Sequence, residues 1–206
     1  MKTRVLSVGP LQENCYLLSD DDTNQAVLID PGDEAERLLA ALSGFELTAI
    51  WLTHAHFDHV GALAAVHRRF HVPVYLHPND LGLFEHAAES AAVFGFVLEQ
   101  PRLTAEPLEP GQKLLLGRHT ATCLFTPGHA PGHMAFYLPE QDMVFAGDAL
   151  FQGSVGRTDL PGGDAEQLLA SIRRELLSLP DSTRVLPGHG PETTVGAERR
   201  TNPFLT

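Results

Sequence analysis

At 206 residues, 43% of them hydrophobic and 19% charged, the chain is long enough to bury roughly 70% of its unfolded surface in one core without staples. Its 14 Lys and Arg stand against 26 Asp and Glu, and the formal net charge of −12 repels a phosphate backbone or an anionic membrane surface, which argues against nucleic acid and membrane as partners. No apolar run reaches signal-peptide or membrane-spanning length, and Cys15 and Cys123 sit in apolar strand-like contexts as reduced core thiols, so the expected location is the cytoplasm.

Strand-like and helix-like patterns alternate along the chain. Residues 4–8, 15–19 and 26–29 are short apolar segments separated by Gly9-Pro10 and by the solvated turn Asp20 to Asp22, and they read as a meander. After Asp30-Pro31-Gly32-Asp33, residues 34–42 have helical spacing, with Leu38, Leu39 and Leu42 on one face. A buried strand comes next at 47–52, then a helix at 59–70 and a strand at 74–76, and segment 79–100 reads as helical pieces interrupted at Gly95. Strands are then predicted at 113–116, 121–125, 134–138 and 143–146, a helix from about 164 to 179, and a last strand at 184–186. No linker or repeat divides the chain, so one domain spanning 1–206 is expected.

The chemistry is concentrated in Thr53-His54-Ala55-His56-Phe57-Asp58-His59, where three imidazoles and a carboxylate come directly after a strand. In an extended stretch, side chains two apart point the same way, so His54 and His56 can converge on one ion, while Asp58 and His59, in the first turn of a helix, point toward a second. Pro127-Gly128-His129, Gly147-Asp148 and Pro187-Gly188-His189 each place a further candidate ligand in a Gly-containing turn after an apolar stretch. The seven donors are enough for two ions, and all of them begin loops after strands, so one edge of the fold could collect them.

T-H-A-H-F-D-H succeeded in order by His129, Asp148 and His189 resembles the metallo-β-lactamase-fold hydrolases. Glu13 to Tyr16 (E-N-C-Y), Pro127 to His133 (P-G-H-A-P-G-H) and Gly147 to Phe151 (G-D-A-L-F) are similar to glyoxalase II, the hydroxyacylglutathione hydrolases. Gly156 to Asp159 (G-R-T-D) and the ending Asn202 to Leu205 (N-P-F-L) resemble its short bacterial type, which lacks a helical C-terminal domain. The resemblance implies an α/β fold, the four-layer αβ/βα sandwich, with two sheets each covered by helices on its outer face. It also implies that His54, His56 and His129 hold one ion, that Asp58, His59 and His189 hold the other, and that Asp148 bridges them.

Imidazole and carboxylate donors suit zinc, the first choice, and also iron and manganese. Two divalent ions sharing a water lower its pKa from near 16 to about 7, so hydroxide forms at neutral pH and attacks a carbonyl held by one of the ions. The implied reaction is hydrolysis of S-lactoylglutathione or a similar acyl-thiol to a 2-hydroxy acid and free thiol, on a small-molecule substrate and in a monomer or homodimer. A thiol pKa of about 8.5 lets the thiolate leave with little help from a general acid. Asp58, beyond ligating, is placed to orient the attacking hydroxide and take its proton.

Other residues have plainer readings. Arg157 stands where a Lys of the longer enzymes holds glutathione, and it either clamps a substrate carboxylate or pairs with Asp159 or Asp164. Arg199 and Arg200 read as tail charges, His133 as a structural hydrogen bond, and Asp30 as a hydrogen-bond partner of ligand histidines. His67, His71, His77, His86 and His119 have no motif partner. A persulfide dioxygenase, with one iron on two histidines and an aspartate, is the alternative within the same fold. β-Lactam hydrolysis is disfavoured because Asp148 stands where those enzymes commonly use a Cys or lack an Asp bridge.

Overall fold

The computed structural model describes residues 1–206 as two compact units, Met1–Leu108 with Leu115–His119, and Glu109–Leu114 with Thr120–Thr206. The first is built on a six-stranded sheet. Strands β1 (Lys2–Val8), β2 (Glu13–Ser19) and β3 (Gln25–Ile29) form the antiparallel meander expected from the Gly-Pro and acidic turns. Helix α1 (Ala35–Ala41) then crosses to β4 (Glu46–Trp51), which pairs parallel with β3 and leads into α2 (Phe57–Val60) and α3 (Leu63–Phe70). β5 (Val74–Leu76) continues the parallel half, and after α4 (Leu81–Glu85) and α5 (Ala87–Val93) the short β6 (Glu106–Pro107) closes it.

Periodicity sets the core of this unit. Cys15, Leu17, Ala26, Leu28, Ile50 and Leu52 alternate onto the sheet face that receives Leu38 and Leu42 of the first helix and Leu63 and Val66 of the third. The residues between them, Tyr16, Leu18, Val27, Ile29 and Trp51, are also buried, which explains why these strands read as continuous apolar runs rather than alternating ones.

In the chain's second half β7 (Lys113–Leu116), β8 (His119–Phe125), β9 (Met134–Leu138), β10 (Met143–Gly147), β13 (Arg184–Pro187) and β14 (Thr193–Thr194) form a sheet in the order β14-β13-β10-β9-β8-β7. Between β10 and β13 lie a small hairpin, β11 (Leu150–Phe151) and β12 (Ser154–Val155), and helix α6 (Ala165–Ser171). Asp164 caps that helix by accepting from the Gln167 amide at 2.9 Å. Leu168, Ile172 and Leu176 pack on Ala135, Val144, Ala146 and Val185. No helix is long and apolar enough to cross a membrane.

Three segments depart from the sequence reading. The helix expected over 59–70 is broken at Gly61-Ala62, because the Ala62 amide donates to the Pro31 carbonyl (2.9 Å), a partner outside the helix. The helix expected from 164 to 179 widens into a π turn over Ile172–Leu176, where the Leu177 amide reaches back five residues to Ile172 (2.9 Å). The tail carrying Arg199 and Arg200, both exposed as expected, is not an extended end but helix α7 (Val195–Thr201). Its Arg199 pairs with Asp181, and its buried Glu198 accepts from Thr193 Oγ1 (2.6 Å), the Gly153 amide (2.9 Å) and Asn202 Nδ2 (2.8 Å). Both cysteines are free and buried, as expected for core thiols, and burial raises the Cys123 pKa to about 12.

Candidate metal centre

Parallel pairing determines where the chemistry sits. A parallel neighbour ends at the same edge as its partner, so the residues just beyond β3, β4 and β5 gather at one end of the first sheet. Asp30, just past β3, is tied to β4 through its amide to the Trp51 carbonyl (3.1 Å). His54 and His56 lie just past β4, and Asp80 lies past β5 and accepts from the Ala55 amide at 3.1 Å. The four donors of this unit are therefore held on backbone that is itself anchored. His54 and His59 are fully buried, and Asp58 keeps 18% side-chain exposure. The His54 ring lies 4.7 Å from that of His56, edge-on, and 4.1 Å from that of His59.

Hydrogen bonds determine where the protons are. Thr53 has one hydroxyl hydrogen and donates it to Asp30 Oδ2 (2.6 Å), while its amide donates to Asp30 Oδ1 (2.7 Å). His54 Nδ1, 3.0 Å from that same hydroxyl oxygen, must then carry a hydrogen and donate it. His59 Nδ1 donates to Asp30 Oδ2 at 3.1 Å. Each neutral imidazole then has an unprotonated Nε2, the form that binds a metal. Asp30, His54 and His59 also place donor atoms within 4.8 Å of one another, but an Asp30 already engaged by three donors is an orienting group rather than a ligand. That is the role expected of it from sequence.

The second unit repeats the arrangement. β10 and β13 are parallel, and the Gly188 amide donates to the Gly147 carbonyl (2.8 Å), so Asp148 and His189 emerge side by side. His129, in the turn after β8, donates from Nδ1 to the Arg157 carbonyl (2.8 Å), and its Nε2 is again the unprotonated nitrogen. Asp148 Oδ2 lies 3.6 Å from His129 Nε2 and 3.7 Å from His189 Nε2. Two donors on one tetrahedral ion with bonds of about 2.1 Å stand roughly 3.4 Å apart, so one carboxylate oxygen is at ligand-to-ligand spacing from two imidazoles. The donor set fits divalent metal.

His133 has both ring nitrogens in use. Nε2 accepts from the Asp148 amide (3.0 Å), so the hydrogen is on Nδ1, which donates to Thr126 Oγ1 (2.8 Å). It is a structural hydrogen bond, as its plainer reading held, and it fixes the backbone of Asp148. His133→Ala leaves that buried amide without its acceptor; it should lower stability by about 1–3 kcal/mol in urea unfolding and weaken metal binding about 10–100-fold in chelator competition.

Sequence reasoning missed Asp80, Thr53 and Thr126, whose only signal was a polar residue next to a strand end. It also missed the part played by Gly156. A Cβ there would sit 2.0 Å from the Asp148 carbonyl, so only glycine lets the 156–157 strap reach His129. The Arg157 side chain points elsewhere, making two 2.7 Å bonds to Asp159 and holding that exposed carboxyl down at about 2. Of the two readings open for Arg157, the ion pair with Asp159 is the one formed in the structure.

A fold of two mixed sheets, with imidazole and carboxylate donors at the strand ends, defines a metal-dependent hydrolase. The chain belongs to the metallo-β-lactamase superfamily, whose family model matches residues 8–189, and its fold is that αβ/βα sandwich. Among relatives, it is 45% identical to a probable metallo-hydrolase, YqgX, of Bacillus subtilis (100% of this chain, 98% of the relative). It is 42% identical to the hydroxyacylglutathione hydrolase GloC of Haemophilus influenzae (100% and 98%). Among solved structures, TTHA1623 in a di-iron-bound form is 54% identical with a TM-score of 0.91 (98% of this chain, 100% of that one). The BLEG-1 B3 metallo-β-lactamase is 43% identical with a TM-score of 0.93 (100% of both), and ETHE1 from Myxococcus xanthus is 32% identical with a TM-score of 0.80 (98% and 84%). The His/Asp donors and the di-iron neighbour together indicate a dinuclear site, without fixing the metal.

Proposed function

We propose that the protein is a thioester hydrolase of the glyoxalase II type, cleaving S-lactoylglutathione or a similar acyl-thiol to a 2-hydroxy acid and free thiol. The observation that carries the metal-dependent part is the shared commitment of Nδ1 in His54, His59 and His129, which makes Nε2 of each the electron-pair donor. The 42% identity to GloC supports the choice of substrate. His54, His56 and His129 would hold one ion and Asp58, His59 and His189 the other, with Asp148 shared. The ions, with zinc the first choice among zinc, iron and manganese, would supply a Lewis acid and a water of lowered pKa.

The chain's own residues do the rest. Asp58 orients the attacking water and accepts its proton. Asp30 and Thr53 keep two imidazoles in the ligating tautomer, and His133 holds Asp148 in place. The thiolate departs without a dedicated acid because its conjugate thiol is acidic enough. Arg157 would reach a substrate carboxylate by exchanging Asp159 for it. The small-molecule substrate, the cytoplasmic setting and a monomeric or homodimeric state belong to this same reading.

Chelator dialysis should abolish S-lactoylglutathione hydrolysis, and zinc, iron or manganese added back should restore it at two ions per chain by elemental analysis. A second reading is the persulfide dioxygenase of the same fold, since the imidazole and carboxylate donors suit iron as well as zinc and a di-iron-bound form is known for a chain 54% identical. One iron per chain with oxygen uptake on glutathione persulfide, and no thioester cleavage, would replace the first reading. Turnover of a chromogenic cephalosporin alone would replace both.

A further inference from the structure

Beside Asp58, wholly within the first unit, lies a cleft whose composition the thioesterase reading leaves unused. Its apolar wall is formed by Leu11 from the β1–β2 turn, Phe57 of α2, and Phe96, Val97 and Leu98 beyond α5. The Phe57 ring stacks on both Phe94 and Phe96 at centroid distances of 5.5 Å. Such rings reach one partner from both sides of Gly95 only because that residue has φ +81°, a conformation that reverses the chain and favours glycine. The Phe96 amide to the Ala91 carbonyl (2.9 Å) and the Gly95 amide to Ala92 (3.0 Å) fasten the reversal.

The segment is apolar where a solvated turn would be polar. Val97 is fully exposed, Val93 is 82% exposed and Phe94 46%. The charged groups of the cleft are Glu13, Asp33 and Asp58, all carboxylates, and no Lys or Arg lines it. An anionic occupant is repelled, whereas an uncharged apolar one gains by leaving water. The cleft is also lined by Asp58, so an occupant lies beside a candidate metal ligand.

We propose that this cleft receives the acyl chain of the thioester, making the enzyme selective for 2-hydroxyacyl groups that carry an apolar chain or ring beyond the lactoyl methyl. The assignment rests on the thioesterase reading for its substrate, but not for the apolar character of the site. A fully buried methylene, about 0.8 kcal/mol, is worth about fourfold, and a half-open cleft about twofold. Three added methylenes, from lactoyl to 2-hydroxyhexanoyl, then raise kcat/KM about tenfold.

The test compares metal-loaded protein on S-lactoyl-, S-(2-hydroxyhexanoyl)- and S-mandeloylglutathione, in the natural chain and in Val97→Asp and Phe94→Ser, whose folding is checked by thermal unfolding. A parallel calorimetric arm uses the non-hydrolysable thioethers S-(2-hydroxyhexyl)- and S-(2-hydroxypropyl)glutathione. A preference of about tenfold for the longer acyl group, falling toward one in Val97→Asp, supports the proposal. A flat series in protein that cleaves S-lactoylglutathione overturns it. Should no thioester be cleaved, tighter binding of the hexyl thioether that is lost in Val97→Asp keeps the apolar site and removes the thioesterase reading. Equal binding of the two thioethers overturns the site as well. A flat series together with a dimer that dissociates in Val97→Asp assigns the strip to a second copy of the chain and also overturns the proposal.

Discussion

Asp58→Ala should lower kcat about 10²–10⁴-fold while KM for S-lactoylglutathione moves less than about threefold, in protein shown by elemental analysis to carry its full metal complement. The asymmetry comes from the position of the carboxylate. It sits in the first turn of α2, partly exposed, with Oδ2 3.9 Å from His59 Nε2, so in the proposed reaction it would act on the attacking water rather than hold the bulk of the substrate. A proton transferred in the rate-limiting step is felt in kcat, whereas groups that hold the substrate equally in ground and transition states are felt in KM. Asp58→Asn sharpens the test, since the amide keeps the shape and a donor oxygen but is a far weaker base. Its kcat should fall nearly as far as that of the Ala variant. An undiminished kcat in either fully metallated variant would remove Asp58 from the proton-transfer role.

How much was legible in the sequence depended on whether a feature was local. T-H-A-H-F-D-H could be read because its donors are adjacent in the chain and come directly after β4, so strand and helix periodicity already state which way they point. The meander, β5, β7 and β9 were readable for the same reason, each being a short apolar run between turn residues. The hidden features are those that a distant segment imposes. Nothing near Asp80 says that Ala55, 25 residues away, will donate to it. Nothing in G-R-T-D says that the Arg157 carbonyl, not its guanidinium, is the group His129 uses. The small β11–β12 hairpin escaped because two-residue strands carry too little pattern, and α7 because V-G-A-E-R-R-T has no apolar stripe at helical spacing, unlike α1 with its leucines. Asp30 lay between the extremes: a carboxylate closing a strand was suspected of serving ligand histidines, but only the fold shows it bonded to His59 and Thr53 at once.

The broken helix over 57–70 shows the same dependence and yields the second large effect. Gly32→Ala should cost about 3 kcal/mol or more in unfolding experiments and reduce turnover at least about 10²-fold. A Cβ at Gly32 would lie 1.9 Å from the Asp58 carbonyl oxygen and 2.5 Å from Glu13 Oε2, and one at Gly61 would lie 2.2 Å from the Gly32 carbonyl oxygen. Two backbones therefore cross where neither has a side chain, and the bond from the Ala62 amide to the Pro31 carbonyl closes the crossing. In a continuous helix the Ala62 amide would have bonded to Asp58, four residues back. The 31–32 turn takes that donor, ends α2 after Val60 and sets the angle at which Asp58 and His59 leave it. The obstacle to an added methyl is main chain, which does not rotate away as a side chain would, so relief requires moving the very turn that carries two candidate ligands. A displacement of about 1 Å is enough for the loss in turnover. Gly44→Ala is the matching control for lost glycine freedom: its φ of +90° is strained for alanine, but no atom lies within 4 Å of its added Cβ. It should lower stability by about 1 kcal/mol and leave kcat and metal content untouched. If Gly32→Ala proves no more costly than Gly44→Ala, or keeps full metal content and turnover, the crossing does not position the site.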